Sequence, residues 1–232
     1  IMRIYSGILF LFLISCTNSN EKDNFLLQKG DILFQDLDSS PLCEAIERVT
    51  PGYKKANFSH IGIVLELGDP FCINSDYLYE DNIRILEAIP NKVTTTRLDS
   101  FLNRSFDKNN NPKVIVGRLK KEYQYTIDDA IEFLKSTIGT AYDNAFIINN
   151  NSYYCSELIY EAFEKDSIFR LQPMTFLDPI SKDTLQIWKE YYLKLKIDIP
   201  QYEPGINPGI MSISNKIDII HEYGLPSNYI KQ

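Results

Sequence analysis

Cys155 is the residue of this chain whose surroundings best suit nucleophilic chemistry. A polar Asn-rich loop precedes it, and the apolar residues behind it recur at helical spacing, namely Leu158, Ile159, Ala162 and Phe163. This pattern predicts a helix that starts at about Tyr153. Cys155 then lies in the first turn, where unpaired backbone amides and the helix dipole favour the nucleophilic thiolate. The same spacing also fits a second interpretation, in which Cys155 is an inert packing residue.

His60 and Glu87 are polar residues inside two otherwise apolar segments that have the character of strands. Period-2 spacing places Gly62 on the same face as His60, so the glycine leaves room beside the imidazole. Glu87 lies on an apolar strand face, where a carboxylate needs a cationic or hydrogen-bonding partner. In a fold that brings them together, an imidazole can deprotonate a thiol while a carboxylate orients the imidazole. We therefore predict Cys155 as nucleophile, His60 as general base and Glu87 as the orienting group.

The other cysteines, histidines and aromatic residues give weaker candidates. His221 follows the last clear core element, which predicts a surface histidine. Cys43 lies beside the apolar face of a short helix and Cys72 in a loop, and the sequence leaves open whether they form a disulfide. Tyr142 and Tyr154 both precede Cys155, and we expect them to contact substrate. No C-x₂₋₄-C or H-x₃₋₅-H pair occurs, so no metal and no cofactor is predicted.

The amino-terminal segment has the pattern of an export signal. Residues 2–16 combine an arginine next to Met2, a short apolar run and small residues before Cys16. The string LISC, which ends at Cys16, resembles a bacterial lipobox, and this implies cleavage before Cys16 and lipid attachment to it. We expect residues 1–15 to be a signal peptide and residues 16–27 a polar tether. The protein is then exported and lipid-anchored to the cell envelope.

Composition and charge exclude several classes of protein. The 232 residues are 44% hydrophobic and 24% charged, which is typical of one soluble globular domain. The chain has 24 Lys and Arg against 31 Asp and Glu, a formal net charge of -7, and no basic run. Nucleic acid is therefore not a predicted partner.

A mixed set of strands and helices must position the three candidate residues. Strands are predicted at residues 32–34, 59–66, 83–89, 92–98 and 114–119, and helices follow Ser40, Thr126 and about Tyr153. The first two helices are predicted from capping residues, and Gly139 is predicted to stop the second. These elements indicate an α+β fold with a small, mostly antiparallel sheet. The Pro-rich stretch from about 173 to 232 is predicted to wrap around this domain, which begins near residue 28.

Five segments together resemble a known family: GDILF (30–34), SHIGIVLE (59–66), ILEAIP (85–90), GTAYDNAF (139–146) and YYCSELIYEAF (153–163). They are similar to the permuted papain-like amidases of the YiiX-like group, which are circularly permuted relatives of the NlpC-type cysteine peptidases. In this group the histidine precedes the cysteine, as His60 precedes Cys155 here. Segments 176–192 and 199–214 are similar to the family's closing part, so the resemblance spans nearly the whole mature chain.

The resemblance implies a papain-like α+β fold in which a central helix presents Cys155 to a sheet that presents His60, with Glu87 at the third position. It implies amide hydrolysis through an acyl-thioester, and the Cys155 backbone N–H is expected to be one oxyanion donor. Peptide-like or N-acyl amides of the envelope are the expected substrates. Two alternatives stay open: a lipid acyl hydrolase or acyltransferase, which a long apolar cleft would favour, and a non-catalytic lipoprotein that binds small ligands.

Overall fold

Six strands form one sheet in a computed structural model that describes residues 25–67 and 82–231. The strands along the chain are β1 (Ile32–Gln35), β2 (His60–Glu66), β3 (Arg84–Ile89), β4 (Lys92–Arg97), β5 (Val114–Leu119), β6 (Gln172–Pro173), β7 (Pro204–Gly205) and β8 (Ile217–Glu222). The large sheet has the order β4-β3-β2-β1-β5-β8, and β6 pairs with β7 separately. Each neighbouring pair is antiparallel. The prediction of a mostly antiparallel sheet in an α+β fold is confirmed.

The described residues also form six α-helices: α1 (Pro41–Val49), α2 (Leu98–Leu102), α3 (Ile127–Ser136), α4 (Cys155–Ala162), α5 (Gln186–Leu195) and α6 (Pro208–Ser212). The first begins as its capping residues predict, because Ser40 Oγ accepts the Cys43 N–H at 3.4 Å and Pro41 takes the first helical position. The predicted cysteine helix is also present. It begins at Cys155 rather than at Tyr153, so the thiol lies on its first residue.

The central strands β1, β2, β3 and β5 are buried on both faces because a separate apolar core covers each face. One core joins Ile61 and Ile63 of β2 to α3, α4 and α5, and it includes Leu158 of the cysteine helix. The other core joins Val64 and its neighbours on β3 to Phe101 of α2. The alternation of side chains along β2 therefore sends odd and even positions into different cores.

Helix α3 differs in detail from its prediction. Thr126 has helical backbone angles, and its hydroxyl donates to the Tyr123 carbonyl at 2.8 Å instead of capping the helix. The helix ends at Ser136, so Ile138 lies beyond its apolar face and is exposed. Gly139 follows in a turn at a φ of +92°, a conformation that suits glycine.

The carboxy-terminal stretch is more regular than the predicted wrapping tail. It contains α5 and α6, and its last strand, β8, pairs with β5 at the edge of the large sheet. His221 lies in this strand and stacks on Phe25 at 4.1 Å between ring centroids. The prediction that His221 lies past the last core element was therefore wrong, because strand pairing with β5 is a contact between residues more than a hundred positions apart.

The predicted signal peptide, Cys16 and Cys72 lie outside the described residues. None of the helices within residues 25–67 and 82–231 has the length and apolar character needed to cross a membrane.

Candidate active site

The Cys155 side chain lies at the amino terminus of α4, in a turn fixed from both sides. Tyr154 is the N-cap residue, and its N–H donates to Glu157 Oε2 at 3.2 Å. Ser156 Oγ donates to the Ile206 carbonyl at 2.9 Å, which ties the helix start to the segment before α6. Cys155 is 7% exposed. The thiol is thus held at a buried helix end, where the helix dipole favours negative charge on sulfur.

His60, the first residue of β2, connects the thiol to a carboxylate. Its Nε2 lies 2.6 Å from Glu87 Oε2, and its ring lies close enough to the Cys155 side chain for the two to interact electrostatically. Burial lowers the pKa of His60, but the hydrogen bonds with Cys155 and Glu87 outweigh it and raise the pKa to about 9. The imidazole is therefore protonated at neutral pH.

Glu87 of β3 is fully buried and fully partnered. Arg104 donates to both carboxylate oxygens, Nη1 to Oε2 and Nη2 to Oε1, each at 2.6 Å, and Thr96 Oγ1 donates to Oε1. Burial raises the pKa of this carboxyl, but the hydrogen bonds from Arg104 and His60 dominate and lower it to about 2. The carboxylate is therefore charged, as required to stabilise an imidazolium.

The imidazole is packed against the core that contains α2. The ring of Phe101 lies 5.7 Å from the His60 ring, centroid to centroid. A Cβ at Gly62 would approach Ile85 Cγ2 to 2.6 Å and the Phe101 ring to 3.0 Å. The glycine thus permits close packing of Ile85 and Phe101 against the strand that carries the histidine.

A cavity of about 260 Å³ opens beside Cys155 and His60. Its wall is mainly apolar and comes from α1, the loop before α4, the segments around β6 and β7, and the helices α5 and α6. It includes Leu42, Ile46, Val49, Tyr142, Phe146, Tyr154, Met174, Phe176, Trp188, Ile206 and Ile210. Both tyrosines predicted to contact substrate line it, and the Tyr154 hydroxyl accepts the Ile206 N–H at 3.2 Å. Cys43 lines the same cavity as a free thiol.

The structure thus brings Cys155, His60, Glu87, Tyr142 and Tyr154 to one place. Sequence analysis missed Arg104, although it required some cationic or hydrogen-bonding partner for a carboxylate on an apolar strand face. No spacing rule links Arg104 to Glu87, since Arg104 follows α2 in a turn without a recognisable motif. Glu157 was also missed, and its position three residues after the N-cap was the available signal.

In the part of the chain that the structure describes, no three His, Cys, Asp or Glu side chains cluster in a way that could hold a metal ion.

The fold and the site are those of papain-like α+β proteins: a cysteine lies at a helix terminus beside an antiparallel sheet that carries a histidine. Residues 26–221 match the family described as permuted papain-like amidase enzyme, YaeF/YiiX, C92 family. The chain belongs to this family of papain-like cysteine amidases and peptidases, and the predicted YiiX-like resemblance is confirmed.

A solved structure supports the same fold. The crystal structure of the metalloprotein yiiX from Escherichia coli O157:H7 matches with a TM-score of 0.64 at 20% sequence identity, covering 86% of this chain and 98% of that chain. No curated protein matches this chain significantly.

Proposed function

We propose that this protein is a thiol hydrolase that cleaves amide bonds of peptide-like or N-acyl substrates through Cys155, His60 and Glu87. The observation that carries the proposal is the buried grouping of Cys155, His60 and Glu87, in which His60 Nε2 lies 2.6 Å from Glu87 Oε2 and the imidazole interacts with the Cys155 side chain. A grouping of this kind has the nucleophile, base and orienting group that covalent acyl transfer requires.

The charge state of the site fits the first half of this reaction. A protonated His60 beside the sulfur favours the thiolate form, which is the nucleophile. The thiolate attacks the amide carbonyl carbon, the C–N bond breaks, and the imidazolium gives its proton to the leaving amine. The neutral imidazole then takes a proton from water, and the water oxygen attacks the thioester carbon. The C–S bond breaks, the acid is released, and the thiolate–imidazolium pair is re-formed.

Two donors are available for the oxyanion that forms on the carbonyl oxygen. One is the backbone N–H of Cys155 in the first turn of α4. The other is the hydroxyl of Tyr142, a residue that lines the same cavity as Cys155. Burial raises the pKa of Tyr142 well above its usual value, and neighbouring acidic groups including Cys155 add to this. The phenol therefore stays protonated and can donate.

The apolar wall of the cavity favours a second candidate function, which is acyl hydrolysis or transfer on a lipid substrate. Leu42, Ile46, Phe176 and Trp188 offer contacts to a hydrocarbon chain in the cavity that Cys155 also lines. Both candidates share the acyl-thioester and differ in the leaving group. We also propose that the protein acts at the cell envelope, anchored by lipid on Cys16.

The test is an acylation assay on purified protein with matched amide and ester substrates of short and long acyl chains. Cys155→Ala is expected to abolish turnover, His60→Ala to lower it by about 10²–10⁴-fold, and the double variant to lose little more than Cys155→Ala. Cys43→Ala, which removes the other thiol of the cavity, is the control and is expected to retain turnover. Full acylation by His60→Ala would refute the proposed site.

The same assay separates the two substrate classes. Faster release of long acyl chains from esters, with fatty acid detected by thin-layer chromatography, would favour the lipid candidate over amide hydrolysis. A protein that binds small ligands but acylates with neither class would support the non-catalytic alternative.

A further inference from the structure

We infer that Arg104 is a positioning residue of this site, which fixes the Glu87 carboxylate and sets the pH range in which the Cys155–His60 pair is competent. This inference rests on the proposed function, because it concerns the same site. It adds a fourth charged group that neither the sequence motifs nor the family resemblance assigned.

The geometry of the contact is that of a specific ion pair. Both terminal nitrogens of Arg104 lie 2.6 Å from different oxygens of Glu87, a bidentate arrangement that fixes the plane of the carboxylate. The Arg104 side chain is 25% exposed and Glu87 is fully buried. Since His60 Nε2 meets Glu87 Oε2, fixing this plane also fixes where the imidazole points.

Arg104 is itself held in place by the turn after α2. Its guanidinium carbon lies 5.1 Å from the centroid of the Phe101 ring, the ring that also packs near His60. The next residue, Ser105, donates its hydroxyl to the Asp36 carbonyl, and the Ser105 carbonyl accepts the Lys113 N–H at 3.1 Å. The turn therefore presents the guanidinium from a position tied to β1 and β5.

The charges around Glu87 explain the effect on pH dependence. The titratable and charged groups that face it are His60 from β2 and Arg104 from the turn after α2. Cys155 from α4 interacts with the imidazole, and Tyr142 and Tyr154 interact with Cys155. Thr96 from β4 adds an uncharged donor. Removing the positive charge of Arg104 favours the protonated form of the titratable groups in this cluster. Both the acid and the alkaline limit of the thiolate–imidazolium pair must then move to higher pH.

The test is the pH dependence of Cys155 alkylation by iodoacetate, followed by mass spectrometry of the Cys155 peptide. This anionic reagent reacts with the thiolate and is attracted by the imidazolium, so the rate is expected to rise and then fall with pH. Arg104→Gln is expected to move both limbs of this pH profile, the rising and the falling one, to higher pH by about one unit, which is a tenfold change in proton affinity. Arg104→Lys retains the charge but not the bidentate geometry, so it is expected to lower the rate with limbs close to those of wild type.

Arg118→Gln is the matched control, because Arg118 makes an equivalent bidentate pair with Asp31, at 2.7 Å for both contacts, and does not line the cavity. It is expected to leave both limbs unchanged. A lower rate with unmoved limbs in Arg104→Gln would show a purely structural role and overturn the inference. If Arg104→Gln does not fold, moved limbs in Arg104→Lys would overturn it, whereas a lower rate with unmoved limbs would support it.

Alkylation needs no substrate, so its outcome is separate from that of the proposed function. Shifted limbs in a protein that hydrolyses neither amides nor esters would support Arg104 and refute the hydrolase. A wild-type rate without a rise and fall would refute the thiolate–imidazolium pair itself.

Discussion

Replacing Glu87 by Gln removes the charge at the centre of the buried cluster while keeping the side-chain volume. The pKa of this carboxyl is lowered from 4.5 to about 2, which corresponds to about 3 kcal/mol of stability at pH 7. Loss of one partner from a buried ion pair costs about 3–5 kcal/mol in other proteins, in agreement with this value. The raised pKa of His60 describes partly the same contact, so the two effects are not added. We expect Glu87→Gln to lower the free energy of unfolding at pH 7 by about 3 kcal/mol.

The loss of unfolding free energy in Glu87→Gln is expected to depend on pH. A carboxyl whose pKa is lowered on folding stabilises the protein above its unfolded-state pKa of about 4.5, and this contribution disappears as pH falls toward 2. The difference between wild type and Glu87→Gln is therefore expected to shrink to about 1 kcal/mol at pH 3. Urea unfolding at pH 7, 5, 4 and 3 measures it.

The control for this measurement is Asp128→Asn, which removes an exposed ion pair with Lys29 and is expected to cost under about 1 kcal/mol. A loss in Glu87→Gln that is the same at every pH would refute the assignment of the stabilisation to the carboxylate charge. Glu87→Gln is also expected to lower the pKa of His60, which NMR titration of the imidazole measures, and to reduce kcat less than His60→Ala does.

Three further predictions concern packing, burial and the amino terminus. Gly62→Ala is expected to destabilise the protein by about 1–3 kcal/mol in urea unfolding, because its Cβ would clash with Ile85 and Phe101; no loss would contradict the tight packing of this strand. Burial raises the pKa of Glu157 to about 8, so Glu157 lowers the free energy of unfolding increasingly as pH rises from about 4.5 to 8. The free energy of unfolding of Glu157→Gln is therefore expected to increase relative to that of wild type over this pH range; a difference that does not change with pH would contradict this. Cys16→Ser is expected to abolish lipid modification and move the protein from the membrane to the soluble fraction; unchanged fractionation with detergent would contradict the lipobox interpretation.

The sequence alone was sufficient where a structural feature depends on residues close together in the chain. The alternation of apolar residues in β2 and the helical spacing behind Cys155 predicted elements that the structure contains, because periodicity of 2 or 3.6 residues decides which side chains can be buried. Ser40 and Pro41 marked the start of α1 for the same local reason. Residue chemistry also showed that Glu87 needed a partner, since a lone carboxylate on an apolar face is costly.

Features that depend on contacts between distant segments were decided only by the tertiary structure. Arg104 reaches Glu87 because α2 packs against the sheet face near His60. The sequence between Glu87 and Arg104 does not specify where α2 packs on the sheet. The cavity wall combines α1 with segments more than a hundred residues later, so its volume and apolar character could not be obtained from any one of them. The pairing of β8 with β5 placed His221 in the sheet for the same reason: strand pairing depends on which edge remains free after the rest of the chain has packed.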